Sequence, residues 1–341
     1  MTIVPGTSTI ISSIPTLVGH YPNHAVAVLA FRRGGMRAAT VVDLEAADAT
    51  RLAQWAVALR ADKAVAAVVH GRSDLDGTGA VREYRSFTTD LTHQMARRGV
   101  ELPGVQLVAH IAEGLPWVCG DGCGAHGALE DPDMTPAAIA GIVDGHHVYP
   151  TRQALDHALD LTDPAHTASL AELVEQLGGP PADEIDDPRA RLAITAVIRA
   201  AKRASAGWAL SDSDYVTLAA VLVDTRLRDM LIGLAITAKA QRAEALWRLL
   251  ARTLPGSARV EALVLAGFFA YARGDRPLAQ VAIDTALRLD PAHRLADSLD
   301  AALTAGRRGK RIWEMAEIAY HVAMFAEVPM PRPLQIIRRS A

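Results

Sequence analysis

Apolar and polar positions follow two different rhythms along this 341-residue chain. In the front half, short runs rich in valine and alanine alternate with segments that repeat an apolar residue every three or four positions. The first rhythm is typical of strands and the second of helices. From Pro188 onward the helical rhythm continues almost without a break. The pattern predicts an α/β N-terminal domain followed by an all-α C-terminal domain.

The front half opens with two apolar runs, residues 25–31 and 36–44, which flank Gly34 and Gly35. Two glycines supply the positive φ angles of a tight turn, so we predict an opening antiparallel hairpin. Asp48 and Thr135 are predicted to cap the helices that follow them. Further strands are predicted at residues 64–69 and 105–111, which gives a mixed sheet covered by helices.

Breaks in these rhythms predict the domain boundaries. We expect an α/β domain over residues 1–165 and a helical domain over residues 188–326. The connecting segment, residues 166–187, contains a glycine- and proline-rich break at residues 178–184. Proline and glycine interrupt both helices and strands, so such a break is typical of a linker. Residues 327–341 are predicted to form a flexible basic tail.

Composition and charge narrow the class of protein. A formal net charge of −3 gives no bulk attraction to nucleic acid or to anionic lipid. Two cysteines are too few for a disulfide framework and suit a reducing compartment. The N-terminus lacks the pattern of a secretory signal, and no apolar run is long enough to span a bilayer. We therefore expect a cytoplasmic protein without a membrane segment.

The rear half contains a motif that looks like a tetratricopeptide repeat. Gly274 would form the turn inside a helical hairpin, and Pro291 would end its second helix. One clear copy is present, so we predict a tetratricopeptide-like domain and not a long repeat array. We expect it to bind a protein partner, with candidate contact residues Trp247, Tyr271 and Trp313. The alternative, in which this fold only packs, stays open.

The final helix carries an apolar stripe. We expect it to dock on the helical domain, and any part of it left uncovered would mark an interface. The stripe consists of Ile312, Trp313, Ile318, Val322 and Phe325.

Several separate motifs together resemble one family. They are residues 13–22 (SIPTLVGHYP), 41–44 (VVDL), 117–119 (WVC) with Cys123, 150–155 (PTRQAL), 243–247 (AEALW) and 271–275 (YARGD). In this order they are similar to the actinobacterial and actinophage family called domain of unknown function 4192. The resemblance covers nearly the whole chain and implies an architecture but no chemistry. Family members tend to have an Asp-Pro step and adjacent cysteines where this chain has residues 120–122 (GDG) and the single Cys123.

Both cysteines lie in the glycine-rich stretch of residues 117–127. Thiols and imidazoles are zinc ligands, so Cys119, Cys123 and His126 are candidate metal ligands. A fourth ligand would come from His110, Asp121, His146 or His147. Two other interpretations stay open, namely free thiols in a structural loop and a reversible disulfide.

Standard catalytic and nucleotide-binding motifs are missing from the sequence. We therefore predict a non-enzymatic adapter, with a metal- or thiol-dependent enzyme or redox switch at the cysteine stretch as the alternative. A second alternative is weak nucleic-acid binding through basic residues at 307–311 and at Arg332, Arg338 and Arg339, which the net negative charge disfavours. His20, His24 and Asp43 could also converge near the edge of the sheet, although their spacing does not require it.

Overall fold

The structure is a computed structural model that describes residues 6–74, 76–176, 187–305 and 310–334. The chain divides into two compact units. The α/β unit comprises Met1–Asp156 with Thr304–Arg307, and the helical unit comprises His157–Leu303 with Arg308–Ala341. The predicted break at residues 178–184 and most of the predicted tail lie outside the described residues. The domain boundaries derived from the sequence stay predictions.

One mixed sheet organises the α/β unit, with the strand order β2-β1-β3-β4-β5-β6. Neighbouring strands are antiparallel except for β3 and β4, which run parallel. The predicted fold class, a mixed sheet followed by many helices, is confirmed. The strands are β1 (Ala25–Arg32), β2 (Gly35–Asp43), β3 (Lys63–Val69), β4 (Val105–Val108), β5 (Pro116–Cys119) and β6 (His126–Ala128).

The opening hairpin forms as the sequence predicts. Arg32 pairs with Gly35 next to the turn, where Gly34 has a φ of 75°. Successive residues of β1 point to opposite faces of the sheet. Val26 and Val28 therefore enter the hydrophobic core on one face, whereas Ala27 and Leu29 enter the core on the other face.

Helices supply the rest of both cores in the α/β unit. Asp48 accepts a hydrogen bond from the backbone N–H of Arg51, and Thr135 accepts one from Ala138, so both predicted caps are present. Two short helices precede the opening hairpin. The helices are α1 (Thr7–Ser12), α2 (Ile14–Val18), α3 (Ala49–Ala58), α4 (Gly77–Ala96), α5 (Pro136–Val143) and α6 (Arg152–Asp156).

The helical unit has its own continuous core, in which the largest fully buried side chains are Trp247 and Phe268. Gly274 has a φ of 99° and ends the first helix of the predicted hairpin, because glycine adopts this conformation without strain. The helices are α7 (Pro164–Gln176), α8 (Asp187–Ser205), α9 (Asp212–Val223), α10 (Thr225–Ile232), α11 (Ala240–Ala251), α12 (Gly256–Arg273), α13 (Arg276–Leu289), α14 (Arg294–Thr304) and α15 (Lys310–Phe325).

A backbone-to-backbone contact fixes α15 in the helical unit. After α10 the chain forms a 3₁₀ turn, Gly233–Ile236. A Cβ atom on Gly233 would lie 2.7 Å from the backbone N and Cα of Tyr320. Only glycine allows α15 to approach the turn this closely. Within the described part of the chain, the helices lack the combined length and apolarity that crossing a membrane requires.

Candidate functional site

The cysteine stretch is a short hairpin and not only a loop. β5 and β6 pair antiparallel, with Val118 opposite His126. Gly122 and Gly124 lie between the strands and have φ angles of 77° and 84°. Side chains rarely tolerate such angles, so the two glycines allow the chain to reverse within a few residues. Because β6 is the outermost strand, the cysteine stretch lies at that edge of the sheet.

Two thiols and a carboxylate meet in this hairpin. The Cys119 thiol donates to Oδ1 of Asp121 over 3.0 Å, and the backbone N–H of Cys123 donates to the same oxygen over 2.8 Å. One side-chain ligand atom from each of these residues lies within 4.8 Å of the other two. Both cysteines are free, and Cys119 is buried whereas Cys123 is exposed. We call this group the thiol corner.

Protonation in the thiol corner follows from these contacts. Burial and the hydrogen bond to Asp121 raise the pKa of the Cys119 thiol to about 12. The hydrogen bonds from Cys119 and from the Cys123 backbone lower the pKa of the Asp121 carboxyl. Near neutral pH the corner therefore holds a protonated Cys119 thiol beside an ionised Asp121.

The structure gathers some of the predicted metal ligands and not others. Cys119, Cys123 and Asp121 come together, whereas the Nδ1 atom of His126 lies 2.9 Å from the carbonyl oxygen of Gly124. Among the described residues, the group of ligand atoms includes none of the four histidines that the sequence suggested. Those histidines are His110, His126, His146 and His147.

Of the three thiol-corner residues, Cys119 lines a cavity of about 720 Å³ between the hairpin and the start of α4. The charged residues that line it are Arg82 and Arg85. A Cβ atom on Gly122 would lie 3.0 Å from Nη2 of Arg85, so the guanidinium group lies against the hairpin turn. Neither arginine could be linked to the cysteines from the sequence, because both precede them by more than thirty residues on a different element.

A second cavity, of about 890 Å³, lies where several of the family motifs meet. Its lining includes residues from the segments 13–22, 41–44 and 150–155, which are far apart in the sequence. His20 and Asp43 both line it, so two of the three residues expected near the sheet edge do converge. His24 is absent from this lining, and its Nδ1 atom lies 3.3 Å from the carbonyl oxygen of His70.

His20 is the most unusual residue of the second cavity. Its side chain is 2% exposed, and neither ring nitrogen has a hydrogen-bond partner among the described residues. Burial lowers its pKa, and the positive charge of Arg152 lowers it further. A neutral imidazole therefore lies beneath a cavity whose charged residues are Asp43, Arg152 and Asp156. Arg152 and Asp156 form an exposed ion pair of 2.8 Å.

Two of the three predicted partner-binding residues are buried in the helical unit. Trp247 is 0% exposed and packs edge-to-face on Phe269. Tyr271 is also buried, and its hydroxyl donates to the carbonyl oxygen of Ala302. Solvent does not reach these side chains, so their burial argues against direct contact with a partner. Trp313 is only partly buried, and its predicted role stays a prediction.

The apolar stripe on α15 is only partly covered. Ile312 is buried in the core, as the sequence predicted. In contrast, Ile318, Val322 and Phe325 are 66%, 49% and 89% exposed. We call these three residues the α15 face. Residues 306–309 and 335–341, which contain most of the predicted basic clusters, lie outside the described part of the chain.

Fold and sites together define an α/β unit with a thiol-bearing hairpin, followed by a helical unit. The family model described as a domain of unknown function (DUF4192) matches residues 8–309, most of the chain. The protein belongs to this family. No curated protein and no solved structure has a match to the chain.

Proposed function

We propose that the protein is a non-enzymatic adapter whose helical unit binds a protein partner. The observation that carries this proposal is the exposure of the α15 face, Ile318, Val322 and Phe325. Single exposed apolar side chains are common on protein surfaces, whereas a contiguous set marks an interaction site.

The position of the α15 face explains why the helical unit does not cover it. Ala316 and Ala323 are buried on the inner side of α15. Ile318, Val322 and Phe325 follow the spacing i, i+4 and i+7, which aligns them on one side of a helix. The buried alanines lie on another side, so α15 presents apolar groups in two directions. α15 therefore carries more apolar side chains than its packing within the helical unit buries.

We propose one type of occupant, the apolar side of a helix in a protein partner. The α15 face is one side chain wide and about 10 Å long, since each helical residue adds about 1.5 Å. This is the size of a two-turn contact between packed helices. Burying each of the three side chains would contribute about 1–2 kcal/mol.

Two further parts of the proposal concern the class and setting of the protein. The hairpin of α12 and α13, with its turn at Gly274, supports a tetratricopeptide-like helical unit, a fold that suits partner binding. The motif resemblance supports an actinobacterial or actinophage source. Two free thiols support a reducing compartment such as the cytoplasm.

The test compares variants of the full-length protein as baits in lysate of the native host. Ile318→Ser and Phe325→Ser each replace one apolar side chain of the α15 face, whereas Ile142→Ser is the control, because Ile142 is about equally exposed in the α/β unit. We expect the unchanged chain and the control to retain the same partner in a stoichiometric amount. The two α15 variants should each recover at least tenfold less of that partner. Equal recovery by all four chains, or self-association without another protein, would overturn the proposal.

A further inference from the structure

The thiol corner contains the kinds of ligand that zinc prefers. Structural and catalytic zinc sites use thiolates at about 2.3 Å and carboxylate oxygens at about 2.0–2.2 Å. Cys119, Asp121 and Cys123 already bring one such atom each to within 4.8 Å of the others. Two sulfur ligands of a tetrahedral zinc ion lie about 3.8 Å apart, by simple geometry from these bond lengths. A movement of about 1 Å therefore suffices to close the group around an ion.

The residues around Cys119 hold this ligand in place. The N–H of Gly120 donates to the carbonyl oxygen of Val105 over 2.7 Å, and its own carbonyl accepts from the Thr88 hydroxyl over 3.1 Å. A Cβ atom on Gly104 would lie 2.8 Å from the Cys119 sulfur. These contacts fix the backbone after Cys119 and leave no free space behind its sulfur. Cys123 is exposed and is the ligand that moves.

The charges in the thiol corner also suit a divalent cation. The buried Cys119 sulfur lies 3.0 Å from a carboxylate oxygen of Asp121, so without a cation a thiolate there would be repelled by the carboxylate. A divalent ion reverses this balance, because it attracts thiolate and carboxylate together. Each thiol then loses its proton to solvent as its sulfur–metal bond forms. Two thiolates and one carboxylate would leave the loaded corner with a net charge of −1.

The neighbouring cavity supplies the compensating charge and leaves space at the ion. Arg82 and Arg85 line it, and within the described ranges neither guanidinium has a hydrogen bond or an ion pair. Their positive charges would offset the net negative charge of the loaded corner. The cavity also borders Cys119, so solvent can reach a fourth coordination position.

We propose that Cys119, Asp121 and Cys123 bind one zinc ion, with a water molecule from the arginine-lined cavity as the fourth ligand. This site lies in the α/β unit and does not depend on the proposed adapter function. It takes a thiophilic divalent cation and selects against magnesium and calcium, which prefer oxygen ligands.

Cobalt titration of the reduced, full-length, tag-free protein tests the site, because cobalt reports its ligands by absorption. We expect one cobalt ion per chain, a thiolate-to-cobalt charge-transfer band, and displacement of the cobalt by zinc. Cys119→Ser, Cys123→Ser and Asp121→Asn should each weaken binding at least tenfold. Circular dichroism of each apo variant shows whether it has kept its fold.

His126→Ala is the matched control, since His126 lies on the same hairpin outside the ligand group. We expect this variant to bind cobalt with the affinity of the unchanged chain. Arg85→Gln should weaken binding several-fold without changing the cobalt spectrum, because the arginine acts through charge and not as a ligand. Absence of the charge-transfer band, binding that survives both cysteine substitutions, or loss of binding in His126→Ala would overturn the proposed ligand set.

Discussion

Arg228 and Glu261 form a buried ion pair in the helical unit, with 2.6 Å between Nη1 and Oε2. The Nε2 atom of His293 lies 3.3 Å from the same carboxylate oxygen. The pair joins α10 to α12, and His293 precedes α14. Three segments of the helical unit thus meet at one carboxylate. A buried charge requires such partners, because transfer from water is costly for an ion without them.

Removing this carboxylate should strongly destabilise the helical unit. We expect Glu261→Ala to lower the free energy of unfolding by about 2–3 kcal/mol, because the buried Arg228 keeps only its ion pair with the exposed Asp229. Glu327→Ala is the control, since Glu327 forms an exposed pair with Arg191 at 3.5 Å in the same unit. The control should cost less than about 1 kcal/mol. Urea unfolding followed by circular dichroism measures both, and equal losses would contradict the assigned role of burial.

Acid should weaken the same ion pair. Burial raises the pKa of Glu261, but the hydrogen bond from His293 and the charge of Arg228 outweigh burial, so the folded pKa is below the ordinary value of 4.5. The unfolded chain then binds more protons, and the stabilisation is lost as the pH falls from 4.5 through the folded pKa. We expect the stability difference between the unchanged chain and Glu261→Ala to shrink over this range. A difference that is constant with pH would show that the carboxylate does not titrate as described.

The two thiols should differ sharply in reactivity. Cys123 is exposed, whereas Cys119 is buried and has a pKa raised to about 12. Only the thiolate reacts with a disulfide reagent. In metal-free buffer at pH 7 we expect one thiol per native chain to react quickly and the second only after unfolding. Cys123→Ser should remove the fast phase and Cys119→Ser should keep it, and the reverse pattern would contradict the geometry of the thiol corner.

His20 should make the α/β unit sensitive to mild acid. Its folded pKa is below the ordinary value of 6.5, mainly because of burial, with Arg152 lowering it and Asp156 opposing. The unfolded state therefore binds the extra proton first, and stability falls as the pH drops from 6.5 toward the folded pKa. We expect His20→Gln to reduce this loss, as measured by thermal unfolding at several pH values. An unchanged pH profile would show that the imidazole of His20 is not responsible.

Much of the fold could be predicted because its signals are local. Asp48 and Thr135 cap helices at the expected residues, and Gly34 forms the expected hairpin turn. β5 and β6 were missed because they have four and three residues. Such strands are too short for a visible alternation of polar and apolar side chains. Their pairing with β4 and with each other defines them, and the sequence does not show pairing directly.

The sites depend on contacts that a linear sequence conceals. Asp121 could be suggested because it lies between the two cysteines, whereas Arg82 and Arg85 reach the thiol corner from α4. Trp247 and Tyr271 illustrate the opposite problem. Large aromatic residues occur both in cores and at binding surfaces, so their identity alone did not reveal their burial.

The contact of Gly233 with the backbone of Tyr320 has a consequence during protein synthesis. The ribosome completes the 3₁₀ turn long before it makes α15, which packs directly on that turn. Until then, a nascent chain leaves the apolar side of the turn open to water and to chaperones. We therefore expect the helical unit to complete its folding only after α15 has left the exit tunnel.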